Sequence, residues 1–194
     1  PRMHKISSDA VLKAVPRKDK SGVAAAAVTV EPGTGHILAM TQNRRYNPRG
    51  KKGETVYNYT ADPNHGGPPS GFQPGSTFKP FTLATWLSSG KSLNAVVNAP
   101  KVVNSTPNDW PKSCQRPGPD VYTWDPHNAG DSEGGGSMTV LQATAHSVNT
   151  AYINMSKQVD LCEIMNIAGR FGLERMTPAR IGGGKTSKKL QPYP

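Results

Sequence analysis

Gly71-Phe72-Gln73-Pro74-Gly75-Ser76-Thr77-Phe78-Lys79-Pro80-Phe81 is the stretch that decides how this chain reads. Pro74-Gly75 is turn chemistry. Behind it Phe78, Phe81, Leu83, Ala84, Trp86 and Leu87 make an apolar surface, and Gly90 is a C-terminal stop. The pattern predicts a helix over 76–89. Ser76 then sits at the helix start, beside unpaired backbone N–H groups and the positive end of the dipole. Lys79 lies one turn later on the same face, which brings an amine within reach of a hydroxyl. A serine hydroxyl becomes a nucleophile only when a base takes its proton. A lysine serves as that base when burial or a nearby cation favours its neutral form. Pro80 lacks an N–H, so the Ser76 carbonyl loses its usual helical donor and a local distortion is expected. Alone, Ser-x-x-Lys is a weak signal: Ser88-Ser89-Gly90-Lys91 matches it too, but Gly90 should end the helix before Lys91 can share a face with Ser88.

Ser147-Val148-Asn149 supplies a second hydroxyl and an amide. The hydroxyl can relay a proton, and the amide can hold both a substrate carbonyl and the lysine. Taken by itself the triplet reads as a cap or break between helices. Around it Leu141, Ala145, Val148, Tyr152, Met155 and Val159 recur at steps of four, three, four, three and four, which predicts one helical face beginning near Ser137. Asn149 and Thr150 are cap-type residues that would break it into two helices. A last helix is expected over 160–171, with Leu161, Ile164, Ala168 and Phe171 on one face and Gly172 at its end.

Towards the N-terminus, the apolar runs 22–30 and 36–40 flank Glu31-Pro32-Gly33-Thr34-Gly35 and read as a β-hairpin. Residues 1–20 are polar and basic with a weak helical patch over 10–15, and read as an interdomain linker. Residues 41–70 read as a long loop of the kind that is often functional, with Tyr57 and Tyr59 alternating as in a short strand. A second loop covers 98–136. Helices plus an antiparallel hairpin predict a mixed α+β domain.

Composition excludes several classes. The longest apolar stretch, 23–30, is far short of the ~20 residues of a bilayer helix. Lys plus Arg number 23 and Asp plus Glu 13, a formal net charge of +10. The basic clusters at 17–20, 44–52 and 185–189 lie near Gly, Pro or Ser and read as solvated loops. No nucleic-acid motif or aromatic-rich strand accompanies them, so no nucleic-acid partner is expected. The five histidines include no pair at helix-face metal spacing, and no metal or cofactor is expected. Cys114 and Cys162 allow one disulfide, or a loop thiol and a buried helix thiol; spacing does not choose.

Ser-x-x-Lys, Ser-x-Asn and Lys-Thr-Gly together are the signature of penicillin-binding proteins and class A β-lactamases. The hairpin 31–40, the stretch 73–81 and Ser147-Val148-Asn149-Thr150-Ala151-Tyr152 follow in that order here. The chain resembles the transpeptidase domain of a class A (bifunctional) penicillin-binding protein of actinobacterial type, over roughly 21–175. The resemblance implies a β-lactamase/transpeptidase-like fold, an antiparallel sheet flanked by helices, incomplete in this chain. It implies Ser76 as the acylated nucleophile, Lys79 as its base, Ser147 as the proton relay to the leaving amine, and Asn149 as the binder of the substrate amide. One oxyanion donor would be the Ser76 N–H. The substrates would be peptidoglycan stem peptides ending in D-Ala-D-Ala, with β-lactams as inhibitors.

The third element is out of place. Lys185-Thr186-Ser187 ends in serine, follows Ser147 by only 38 residues, and reads as part of a Gly- and Lys-rich loop rather than a strand. The expectation is that 21–194 form the N-terminal portion of the domain and that the Lys-Thr-Gly strand lies beyond Pro194, on a second chain that stays associated. A membrane anchor and a glycosyltransferase domain are expected before Pro1. That would place the protein at the extracytoplasmic face of the membrane, with the fragment itself soluble.

Overall fold

A computed structural model describes residues 2–114, 123–130 and 133–173, with the backbone of 179–181 and 185–187. The chain divides into two compact units, Pro1–Phe72 and Gln73–Pro194.

In the first unit the expected hairpin is present as β1 (Ala26–Val30) and β2 (Ile37–Gln42), antiparallel with Val28 opposite Met40. Its turn needs Gly33 and Gly35, whose φ of +87° and +73° lie in the left-handed region. The helical patch expected at 10–15 is a longer helix, α1 (Arg2–Ala14), so much of the stretch read as linker is ordered secondary structure. Val11 of α1 is buried with Ala39 and Thr41 of β2, and the hydroxyls of Ser7 and Thr29 lie 2.8 Å apart. No strand forms at Tyr57–Tyr59. The Gln42 amide takes that role: Nε2 donates to the Tyr57 carbonyl at 3.3 Å, and Oε1 accepts the Tyr59 N–H at 2.9 Å.

The second unit carries the helices. A 3-10 turn (Gly75–Phe78) leads into α2 (Lys79–Ser88). β3 (Val96–Ala99) pairs antiparallel with β4 (Gly136–Thr139). Then come α3 (Val140–Ala145), α4 (Asn149–Ser156) and α5 (Leu161–Arg170). Trp86, Val97, Val140, Val148, Met155 and Ile164 lie in the core. The mixed α+β class holds, with the sheet present as three separate two-stranded antiparallel pairs among the described residues.

Two expectations for this unit are corrected. Residues 136–139 are strand, and the helix starts at Val140 because Thr139 and Gln142 form a reciprocal capping box. The two-helix break is present at His146–Val148, where Ser147-Val148-Asn149 reads as a cap or break, just ahead of Asn149-Thr150. It resets the helical phase, so Leu141 and Ala145 are exposed while Val140 and Ala143 are buried. The loop expected at Lys185-Thr186-Ser187 does not form. The triplet is instead β6 (Lys185–Ser187), antiparallel to β5 (Ala179–Ile181).

Cys114 and Cys162 are disulfide-bonded, which settles the pairing that spacing left open. The bridge ties the 107–114 segment to α5. Next to it, Leu161 N–H donates to the Pro111 carbonyl at 2.9 Å and Ser113 N–H to the Asp160 carboxylate at 3.2 Å. Closing a loop of 48 residues is worth about 4 kcal/mol through the unfolded chain. Full reduction should therefore lower stability by about 2–4 kcal/mol. Thermal unfolding with and without reductant measures this. An unmoved midpoint would show that the bridge is dispensable.

Candidate active site

Ser76 and Lys79 are placed by a helix start that cannot be regular. Gly75 sits at φ +54°, and the Thr77 N–H donates to the Pro74 carbonyl at 3.2 Å. The Ser76 carbonyl accepts from Lys79 N–H, three residues on, because Pro80 offers no N–H four residues on. The expected distortion is therefore a 3-10 turn, and α2 begins at Lys79 rather than Ser76. Phe78 and Phe81, with ring centroids 5.3 Å apart, pack against the core and leave Ser76 exposed.

Ser147 occupies the corner between α3 and α4 at φ +54°, the one non-glycine residue with positive φ among those described. Its N–H donates to the Thr144 carbonyl at 3.1 Å, and Val148 N–H to the Ala143 carbonyl at 2.9 Å. Val148 is 2% exposed and anchors the corner, so Ser147 and Asn149 on either side of it face the lysine. The left-handed backbone costs a serine of order 1 kcal/mol. Ser147→Gly should therefore be about 1 kcal/mol more stable than Ser147→Ala, although both remove the hydroxyl. Urea unfolding of the pair checks this, and equal stabilities would refute it.

Lys79 joins the two halves. Its Nζ lies 3.2 Å from Ser76 Oγ, 2.9 Å from Ser147 Oγ and 2.7 Å from Asn149 Oδ1, and it also donates to the Ser147 carbonyl. All four residues singled out in the sequence thus meet at one amine. Tyr152 was missed, since its place in the apolar repeat marked it as core. Its ring centroid lies 5.4 Å from Lys79 Nζ, and its hydroxyl is 2.8 Å from Thr144 Oγ1. The usable signal was its position one turn after Asn149. Ser88 and Lys91 do not meet: Ser88 Oγ donates to the Thr85 carbonyl and Lys91 Nζ lies 4.9 Å over the Trp86 ring.

The donor count at Lys79 is informative. The Ser147 carbonyl and Asn149 Oδ1 can only accept. A neutral amine has two hydrogens for them and one lone pair left for a hydroxyl. Burial pushes the Lys79 pKa down from its ordinary value, and the Glu133 carboxylate partly opposes this. The arrangement can therefore hold a lysine ready to take a proton from Ser76. A pocket of about 340 Å³, lined by Ser76, Lys79, Leu83, Thr144, Ser147 and Tyr152 among others, opens over the amine. Among the described residues, no three of His, Cys, Asp and Glu converge as a metal site, and no helix is long and apolar enough to cross a membrane.

The penicillin-binding protein transpeptidase domain family matches this chain over residues 25–192. Penicillin-binding protein 1A of Neisseria gonorrhoeae is 34% identical over 120 residues, 59% of this chain and 14% of that protein. The same protein of Neisseria lactamica is 31% identical over 102 residues, 53% and 11%. The chain thus spans a small part of these relatives' length. Among solved structures, penicillin-binding protein A from M. tuberculosis in its ceftriaxone acyl-enzyme complex superposes with a TM-score of 0.66 at 21% identity, covering 89% of this chain and 38% of that one. PonA1 from Mycobacterium tuberculosis gives 0.59 at 21% identity, covering 89% and 36%. At that identity the likeness is one of fold.

Proposed function

The chain belongs to the penicillin-binding protein transpeptidase domain family, and from that membership we propose that it carries the nucleophile half of a peptidoglycan D,D-transpeptidase. The observation that supports this most is the convergence of Ser76 Oγ, Ser147 Oγ and Asn149 Oδ1 on one amine. Ser76 Oγ attacks the carbonyl carbon of the penultimate D-alanine, and its proton passes to Lys79 Nζ. The tetrahedral intermediate collapses with cleavage of the C–N bond. Ser147 Oγ hands the proton from Lys79 to the departing D-alanine nitrogen. An amine on a neighbouring stem then attacks the acyl-enzyme, gives up a proton through the same relay, and returns Ser76 to its hydroxyl form. Asn149 orients the donor stem through its side-chain amide. A β-lactam enters at the first step and stays as the acyl-enzyme, because its leaving amine remains tethered.

In this reading the Lys-Thr-Gly strand that walls the other side comes from the remainder of the domain, held as a second chain or as continuing sequence. A glycosyltransferase domain and a membrane anchor lie elsewhere in the parent, which works at the extracytoplasmic face. A D,D-carboxypeptidase or β-lactamase would share the acylation and pass the acyl group to water. A non-catalytic β-lactam sensor would share it and stop there. The test is intact mass of the full-length protein before and after a penicillin, with peptide mapping. A stable adduct on the Ser76 peptide, with cross-linked product from stem peptides, supports the transpeptidase. Rapid loss of the adduct to water moves the assignment to a hydrolase. No adduct overturns the acyl-transfer reading.

A further inference from the structure

Helix α4 has an unusual start. Its N-cap is Val148, which has no side-chain acceptor, so the first N–H groups of the helix lack the usual local partner. The acceptor comes instead from a segment more than twenty residues away. Asn128 Oδ1 accepts the Thr150 N–H at 3.1 Å, and Asn128 Nδ2 donates to Thr150 Oγ1 at 3.2 Å and to the Glu133 carbonyl at 2.9 Å. Asn128 is 7% exposed and Thr150 is fully buried. One residue earlier in each segment, Asn149 Nδ2 donates to the His127 carbonyl at 3.2 Å. The 124–128 segment is itself backed by residues 103–105: Val103 N–H donates to the Pro126 carbonyl, and Ser105 and Trp124 exchange backbone bonds of 3.0 and 2.8 Å.

We propose that Asn128 is the positioning residue of this site, capping α4 from outside and thereby fixing Asn149 against Lys79. The proposal rests on the acyl-transfer reading above. The geometry has one route. Asn128 holds Thr150, Thr150 sets the first turn of α4, and that turn aims Asn149 Oδ1 at Lys79 Nζ while the His127 carbonyl fixes the other end of the same amide. If the turn relaxes, Asn149 Oδ1 leaves the lysine and Ser147 loses the frame that keeps its left-handed backbone. A second contact leads the same way. The Glu133 carbonyl is held by Asn128, and the Glu133 carboxylate is the charge acting on Lys79. Ser76, Ser147, Asn149 and Tyr152 face the lysine, the Glu133 carboxylate acts on it through its charge, and Asn128 touches none of the reacting atoms. Gly134 leaves the room the Asn128 amide occupies. A Cβ there would stand 2.5 Å from Asn128 Nδ2 and 2.9 Å from the Ala99 carbonyl, and its φ is +74°.

The experiment is single-turnover acylation of the full-length protein by a fluorescent penicillin, resolved into an apparent dissociation constant and a limiting acylation rate, across pH. Asn128→Asp keeps the size and the acceptor but loses the donor; Asn128→Ala removes both. Both variants should lower the limiting rate about tenfold or more, with the dissociation constant changed less than threefold and the acid limb of the pH profile displaced. Single-turnover rates report only molecules that fold, so partial misfolding lowers amplitude and not rate. If Asn128→Ala does not fold, Asn128→Asp and Thr150→Val carry the test. A lowered melting temperature with an unchanged limiting rate and pH profile would reduce Asn128 to a structural residue and overturn the proposal. A wild-type protein that is not acylated would overturn the acyl-transfer reading, and this proposal with it.

Discussion

Lys79→Ala in the full-length protein should slow acylation by penicillin about a thousandfold, and Ser76→Ala should leave no adduct at all. Lys79→Arg separates two roles for the lysine. A guanidinium keeps the positive charge but does not surrender its proton, so it cannot act as a base. If Lys79 works by taking the Ser76 proton, the arginine variant fails as badly as the alanine one. If the lysine only supplies charge, the arginine variant retains most of the rate. The pH profile gives an independent reading. Burial lowers the Lys79 pKa and Glu133 raises it. The active form is the neutral amine, so acylation rises as pH climbs through that lowered value. Glu133→Gln removes the opposing charge, so the limb should move to lower pH and the rate at a given pH below it should increase. A limb that stays put, or moves upward, would contradict the assignment.

How much of this was readable in advance follows from locality. Ser76 and Lys79 are three residues apart, and helical spacing alone puts them on one face, so their pairing was legible. Ser147 and Asn149 were legible as a pair because the residue between them is apolar and buries itself. What joined the pairs was the likeness of the whole ordered set, since no local rule says that residue 79 meets residue 147. The helix starts were less legible. The 3-10 turn at Gly75–Phe78 follows from the missing N–H of Pro80, which the sequence displays. The break was legible at Ser147-Val148-Asn149, but the source of the cap on the helix after it was not. The cap of that helix comes from Asn128, on a different segment, and a cap supplied across space leaves no periodic trace. Tyr152 was hidden by the opposite effect. Its position fits the apolar repeat so well that the pattern conceals the second task of its ring, beside the lysine. The 41–70 segment was legible only as loop, because its order depends on side-chain amides such as Gln42 bonding to backbone.

The packing behind the site sets the second large effect. Trp86 is 2% exposed and lies two turns along α2 from Lys79, in one core with Val140, Val148, Tyr152 and Met155. Its indole N–H donates to the Ser92 carbonyl at 3.0 Å, which ties the end of α2 to the following turn. Trp86→Ala removes the largest fully buried side chain among the described residues and leaves that carbonyl without its donor. The cavity and the lost bond together should cost about 4–5 kcal/mol. For a chain of this size that is a fall of about 10 °C or more in the unfolding midpoint. Trp86→Phe keeps most of the volume and loses the hydrogen bond, so about 1–2 kcal/mol is expected. Val96→Ala serves as the control, because Val96 is 66% exposed and its truncation should change stability by less than about 0.5 kcal/mol. The consequence reaches the site. Ser76 rides on the turn that begins α2, and Ser147 on the corner that begins α4, so their approach to one amine depends on how these helices pack. Trp86→Ala molecules that remain folded should therefore acylate more slowly than wild type, whereas Val96→Ala should not. Equal acylation rates in the folded fraction would mean that the 3-10 turn and the Ser147 corner hold the lysine without help from the core.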